Sequence, residues 1–259
     1  MGKYLIESAL LGQGLLGITD HEMKSLWPEH PGGEIAWMEA GKLMTGGISE
    51  FVKVRKEIKD GVRICYQNFE AAQAQKVTGV LTASGTMKAC EKIQAEFAVS
   101  CGIGGMKRKQ TIESCHDLLA LKESKVSLVA TSPKDMFDLK HTLEEAQKAG
   151  ISVVGCGSCI CNGYLFLQDP VEISTGLKGT MDRNCLFLRK IPEQRRICEK
   201  RIFDQALQYA IESEKKGLLF HPSFNQKVDE LTKGYSSKIQ LEALISNINW
   251  IEKNEQFCK

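Results

Sequence analysis

The chain is poor in proline, with six in 259 residues, poor in aromatics at 7%, and nearly balanced in charge, with a formal net charge of +2. Its Lys and Arg residues are interleaved with Asp and Glu along helical stretches. A nucleic-acid partner calls for a clustered basic stripe, so none is expected. No apolar run reaches the roughly 18 residues that a membrane span requires, so no membrane partner is expected either. At the amino end, MGKYLIESALLGQGLLGI is interrupted by Glu7 and offers no small-residue cleavage site. That stretch therefore reads as part of the fold, and the expected location is the cytoplasm. Signatures of the standard nucleotide folds are missing too. GIGG at 102–105 is not GxGxxG, and no Walker lysine–serine pair is present.

Ten cysteines are there, but spread along the chain rather than packed as in a small secreted scaffold. Cys156, Cys159 and Cys161 cluster in VVGCGSCICNG. Three thiols without a CxxC partner at metal-finger distance favour a cysteine-rich loop after a strand over a zinc or iron–sulfur site.

The middle of the chain alternates β-branched runs with helical patterns. FAVSC (97–101), VSLVAT (126–131) and ISVVG (151–155) read as strands. Between the last two, residues 133–150 read as a helix, with Met136, Leu139, Leu143 and Ala146 on one stripe. Ser132 is its expected N-cap, Pro133 its first position and Gly150 its stop. Strand–helix–strand units with short connections imply parallel pairing. The expected class is α/β, a three-layer α/β/α arrangement around a largely parallel or mixed sheet. Residues 33–48 read as a hairpin turning at Ala40-Gly41, and 82–94 as a helix capped by Thr82 or Ser84. Helices are expected over 192–216, 223–233 and 236–256. With no low-complexity linker and no internal repeat, one domain over 1–259 is expected.

Within this pattern Lys134 stands out, because it falls where a strand ends and a helix is expected to begin. Ligand sites of α/β proteins lie beyond the carboxyl ends of strands, and a helix start disfavours an ammonium. An unperturbed lysine is neutral in about one molecule in 2,500 at pH 7. Lowering its pKa to 7 takes about 4–5 kcal/mol, and a helix terminus supplies at most about 2. A nucleophilic Lys134 therefore requires burial or a second cation nearby.

Other groups fall at strand ends as well. Gly102, Gly104 and Gly105 could turn backbone N–H groups toward an anion, with Lys107, Arg108 and Lys109 directly after them; a tight turn with solvated charges explains the same residues. In TIESCHDLLAL, Glu113 and Asp117 are four apart, which on a helix would put both carboxylates on one side, suited to a divalent cation or sugar hydroxyls. His116 lies between them, and a lone histidine is more often a structural hydrogen-bonder. Glu7, at the end of YLI, is a candidate proton donor.

In order and spacing these pieces resemble the pseudouridine-5′-phosphate glycosidases, which include the indigoidine-synthase-A-like proteins. LIESALLGQGL is similar to that family's LES…HGL element, CGIGGMKR to GGIGGVHR, SCHDLLAL to SADLTEL, and VATSPKDMFDL to VCAGAKSILDL. The likeness is strongest over 79–155 and faint over 17–75. It implies Lys134 as the Schiff-base lysine, Glu7 as proton donor and Glu113 as a Mn²⁺ ligand. Thr82, Ala83, Cys115, His116 and Asp117 fall on substrate-binding positions, and Arg63 falls near the family's substrate lysine. Lys107, Arg108 and Lys109, together with Arg63, are the basic groups expected to anchor the 5′-phosphate.

Several positions depart from the family. Its VHRG histidine is Lys107, its metal aspartate is Glu113, its serine in SAD is Cys115, and its carboxy-terminal asparagine pair has no clear counterpart near Leu244 and Ile245. What the resemblance implies is cleavage of pseudouridine 5′-phosphate to uracil and ribose 5-phosphate by a homotrimer. A Schiff-base enzyme for another sugar phosphate, or a silent binding homologue, remains open beside it.

Overall fold

The computed structural model describes residues 4–29, 31–175 and 184–254. The chain opens with β1 (Tyr4–Glu7), a π-helical turn (Leu10–Gly14) and α1 (Asp20–Leu26). Next come β2 (Glu34–Glu39), β3 (Lys42–Gly46), α2 (Ile48–Ile58), β4 (Val62–Ile64), α3 (Phe69–Ala74), β5 (Gly79–Leu81) and α4 (Ala83–Ile93). The middle holds β6 (Phe97–Val99), α5 (His116–Glu123), β7 (Ser127–Ala130), α6 (Leu139–Lys148), β8 (Ser152–Gly155), β9 (Ile160–Cys161), β10 (Val171–Glu172) and β11 (Ser174–Thr175). It ends with β12 (Cys185–Leu188), α7 (Lys200–Lys215), α8 (Phe220–Leu231) and α9 (Tyr235–Lys253).

The main sheet runs β11-β8-β12-β7-β6-β1-β2-β5-β4, with β3 added to β2. From β11 to β2 every pairing is parallel. β2 is antiparallel to both β3 and β5, so the sheet is mixed. A small antiparallel pair, β9 and β10, lies apart from it.

Side chains alternate across each strand because successive Cβ atoms point to opposite faces. Tyr4 and Ile6 of β1, Phe97 and Val99 of β6, and Phe187 of β12 enter one core, with α1, α2, α7, α8 and α9. Leu5, Ala98, Leu128 and Leu186 enter the other, with α3, α4, α5 and α6. Helices thus cover both faces, and the expected three-layer α/β/α architecture is what forms. Among the described residues no helix is long and apolar enough to cross a membrane.

The hairpin turns where the sequence placed it: Ala40 and Gly41 both take positive φ, 46° and 78°, as a two-residue turn matched to strand twist requires. Thr82 caps α4 by accepting the Gly85 N–H at 3.3 Å. Three expectations need correction. β7 and β8 are parallel but not neighbours, since β12 lies between them. α7 starts at Lys200 rather than 192; a short 3-10 turn at Glu193–Arg195 precedes it, separated from the helix by extended backbone at Arg196 and Glu199. The third concerns the segment carrying Lys134.

Candidate active site

The pairing of β6 with β7 does not stop at the strand ends. Thr131 N–H donates to Cys101 O at 3.2 Å, Ile103 N–H to Ser132 O at 3.0 Å, Lys134 N–H to Ile103 O at 3.1 Å, and Asp138 N–H to Met106 O at 2.9 Å. Ile103 and Pro133 form a parallel bridge. Residues 133–138 are therefore a continuation of the ladder and a turn, not helix, and Ser132 is no N-cap. α6 begins at Leu139, where the Asp138 carboxylate accepts the His141 N–H at 2.9 Å. Asp135, expected in a first helical turn, instead accepts the N–H groups of Tyr164, Leu165 and Phe166 at 2.7, 2.7 and 3.1 Å. Seven backbone and side-chain bonds outside any helix outweigh the helical propensity of the stretch, and no helix dipole acts on Lys134.

Lys134 lines a cleft of ≈ 390 Å³ at the carboxyl ends of β1, β4, β5, β6 and β7. Glu7, Arg63, Thr82, Ala83, Lys107, Cys115, His116 and Asp117 line the same cleft. Nine of the eleven residues singled out from the sequence are thus brought together. Arg108 and Glu113 are exposed and lie outside the lining.

Electrostatics replace the missing dipole. Burial pushes the Lys134 pKa down, and the Arg63 guanidinium pushes the same way; Cys101, Glu7 and Asp117 act against them. Of these three, Cys101 adds little at neutral pH, because burial lifts its thiol to about 12. Burial raises the Glu7 carboxyl, which Lys134 and hydrogen bonds with Ser100 and the Cys101 N–H oppose. The Cys101 N–H reaches Glu7 Oε1 at 3.3 Å. A carboxyl shifted up and an amine shifted down approach each other in proton affinity, which suits a proton-exchanging pair. Among the described residues neither the Lys134 amine nor the Arg63 guanidinium has a hydrogen-bond or ion-pair partner.

The glycine-rich segment is built differently from what its composition suggests. The Gly104 N–H donates to Asp117 Oδ2 at 2.7 Å, Gly102 N–H to Ser100 Oγ at 3.3 Å, Met106 N–H to Thr142 Oγ1 at 3.0 Å and Lys107 N–H to Gln110 Oε1 at 2.7 Å. Those donors do not face an anion. Gly105 is required for another reason: a Cβ there would meet Phe137 Cβ at 2.7 Å. The Lys107 amine pairs with Glu214 at 3.2 Å and lies 4.0 Å from the centre of the Phe220 ring. The Asp117 carboxylate bridges Ser84 N–H at 2.9 Å and Gly104 N–H, fastening α4 to the glycine segment.

Glu113 sits in a 3-10 turn, Ile112–Ser114, and Cys115 breaks the chain before α5 begins at His116. The helical spacing that would align Glu113 with Asp117 is therefore absent. Hydrogen bonding to Thr111 holds the Glu113 carboxyl below its usual range. Among the described residues no three His, Cys, Asp or Glu side chains gather to hold a metal ion. A cage of protein side chains for Mn²⁺ is therefore missing among them, Glu113 would hold the ion only through waters, and no step below runs through one. In the cysteine loop, Cys156 packs toward one core and Cys161 toward the other, while Cys159 is exposed, as a loop rather than a thiolate cluster.

Sequence reasoning missed the far wall of the cleft, which comes from the corner between α7 and α8: Glu214, Leu219, Phe220, His221 and Pro222. Burial and the nearby Lys134 and Arg63 hold the His221 pKa well below its usual value, so its ring is neutral. A single histidine in HPSFN, some ninety residues beyond Lys134, carries no local signal. Asn247 was missed too; it donates to Ser100 O at 2.8 Å and Thr131 Oγ1 at 3.2 Å, behind the strand ends that carry the site.

The chain is similar to several known proteins. The family model for indigoidine synthase A like protein matches residues 38–252. A pseudouridine-5′-phosphate glycosidase of Gemmatimonas aurantiaca is 32% identical over 123 residues, 47% of this chain and 38% of that protein. One of Petrotoga mobilis is 26% identical over 227 residues, 80% of this chain and 74% of that protein. Among solved structures, an indigoidine synthase A-like protein of Thermotoga maritima aligns with a TM-score of 0.75 at 17% identity, over 96% of this chain and 91% of its own. A prealnumycin C-glycosynthase in complex with ribulose 5-phosphate aligns at 0.72 and 20% identity, over 95% and 87%.

Proposed function

Because the chain belongs to the indigoidine synthase A-like family, we propose that its cleft breaks the carbon–carbon glycosidic bond of pseudouridine 5′-phosphate, giving uracil and ribose 5-phosphate. The relatives named pseudouridine-5′-phosphate glycosidase support the class of reaction. The observation that carries the mechanism is the pairing, in one cleft, of an unpartnered Lys134 with lowered proton affinity and a buried Glu7 with raised proton affinity.

A C–C bond has no leaving heteroatom to protonate, so the two-carboxylate route of ordinary glycosidases does not serve. The neutral Lys134 amine attacks C1′, the C1′–O4′ bond breaks, and Glu7 gives its proton to O4′. The resulting ammonium returns a proton to Glu7. The nitrogen lone pair then forms C1′=N as the C1′–C5 bond breaks, and Glu7 delivers the proton to C5 of uracil. Water hydrolyses the imine, releasing ribose 5-phosphate and restoring the amine. Overall one water is consumed, and both residues end as they began.

Borohydride reduction with ribose 5-phosphate, read by mass spectrometry, tests the first part. An adduct on Lys134 is expected, and its absence would leave a silent binding protein as the better reading. Uracil release from pseudouridine 5′-phosphate, followed by absorbance, tests the second. An adduct without uracil release would favour a Schiff-base enzyme for another sugar phosphate. The rewritten stretch around Arg63 and the ribulose 5-phosphate bound by a structural neighbour support that second reading.

A further inference from the structure

The cleft needs a group to hold the anionic end of a sugar phosphate, and most of the expected ones are engaged or lie elsewhere. The glycine N–H donors at 102 and 104 are engaged, Lys107 is held by Glu214 and Phe220, and Arg108 lies outside. Lys134 is reserved for C1′. Beside the Gly105 N–H and the His116 ring, the unengaged groups facing the cleft are the Arg63 guanidinium, with five donors and no hydrogen-bond or ion-pair partner among the described residues, and the wall formed by the start of α8.

On that wall His221 is the polar side chain. Its Nε2 lies 3.0 Å from Asn225 Nδ2. The amide nitrogen is a donor only, so Nε2 accepts, and in a neutral ring the proton then sits on Nδ1. The ring therefore offers the cleft an N–H donor. Burial opposes its protonation, and so do the nearby Lys134 and Arg63, so the ring stays neutral. The backbone beside it is also unengaged. Leu219, at the N-cap position of α8, supplies no capping side chain, and the N–H groups of Phe220 and His221 have no protein partner among the described residues.

We infer that His221 binds the substrate phosphate through Nδ1–H together with Arg63, and so sets the distance at which C1′ meets Lys134. This makes His221 a specificity-determining residue, and the inference rests on the reading of the cleft as a sugar-phosphate site. A donor lost to a charged oxygen weakens binding about 10–100-fold. Asparagine places its amide nitrogen where Nδ1 stands, whereas glutamine places it where Nε2 stands.

Calorimetric titration of the full chain with inorganic phosphate and with ribose 5-phosphate tests the assignment in His221→Ala, His221→Gln and His221→Asn. Alanine and glutamine are expected to weaken both ligands about 10–100-fold, and asparagine to stay within about fivefold of the parent. Unchanged affinity in His221→Ala, an equal loss in the Asn and Gln variants, or no phosphate binding by the parent chain would each overturn it. Circular dichroism selects the folded variants, so at least one substitution decides the matter. Phosphate binding is read without any bond cleavage. A chain that binds phosphate through His221 yet forms no borohydride adduct at Lys134 would therefore refute the catalytic reading alone.

Discussion

Two stretches border the same cleft and use their polar groups in opposite ways. The wall made by Glu7, Arg63 and Lys134 leaves its amine and guanidinium without hydrogen-bond or ion-pair partners among the described residues, in surroundings that shift their proton affinities. The segment from Gly102 to Lys107 ties most of its donors to the protein itself. On composition the second stretch, glycine-rich and basic, looks like the ligand cradle. The contrast teaches that a donor's availability depends on what the fold has already paired it with. Composition records only that the donor exists.

Replacing Lys134 with alanine should break the comparison most severely. Cleavage and borohydride trapping are expected to vanish, a fall beyond about 10³-fold in kcat. Because the amine has no partner among the described residues and its charge is disfavoured by burial, the thermal midpoint should not fall. A large loss of Tm would mean that the wall is structural rather than chemical.

Glu7→Gln is next, with kcat lowered about 10²–10⁴-fold. The pH profile gives the sharper reading. The Glu7 acid form is lost as pH rises through its raised pKa, giving the parent an alkaline limb; the Lys134 amine form is lost as pH falls through its lowered pKa, giving an acidic limb. Glu7→Gln should abolish the alkaline limb and keep the acidic one. The same raised pKa means that the folded state holds the Glu7 proton more tightly than the unfolded one. Its contribution to stability is present at low pH and declines as pH rises through that value, so Glu7→Gln should flatten the pH dependence of urea midpoints between the ordinary carboxyl range and that raised value.

Arg63→Ala should raise KM for phosphorylated substrate about 10–100-fold, with a smaller change for the nucleoside lacking phosphate. Equal changes for both would place Arg63 at the base rather than the phosphate.

The smallest effects belong to the engaged or distant groups. Lys107 and Glu214 are 42% and 51% exposed, and pairs of that kind contribute about 0.2–1 kcal/mol. Lys107→Ala should alter kcat/KM by less than about threefold, and Glu113→Ala or added EDTA should leave trapping at Lys134 intact. Loss of trapping with EDTA would bring a metal ion into the site against the donor set described above.

What the sequence made legible follows from how local each signal is. The strands at 97–99, 127–130 and 152–155, the Ala40-Gly41 turn and the Thr82 cap depend on neighbours within a few residues, and all formed. The start of α6 was misread because Pro133, Asp135 and the periodic Met136 and Leu139 satisfy helical rules locally, while Ile103, Met106 and Tyr164 to Phe166 claim the same groups from about thirty residues away. Lys134 was singled out on the expectation of a helix dipole that is absent; burial and Arg63 perform that task instead. His221 and Asn247 stayed invisible because only the packing of α8 and α9 over the strand ends gives them meaning.

One carboxylate described above has a consequence for how such a site could diversify. Asp117 clamps the start of α4 and the glycine segment with its two oxygens. Neither loop can shift without dragging the other, which makes the floor of the cavity a single rigid plate. The roof, by contrast, is a helical corner from the last quarter of the chain, which meets that plate through side-chain contacts such as those of Lys107 with Glu214 and Phe220. A lineage exploring new substrates would do so by rewriting the roof while its floor stood still.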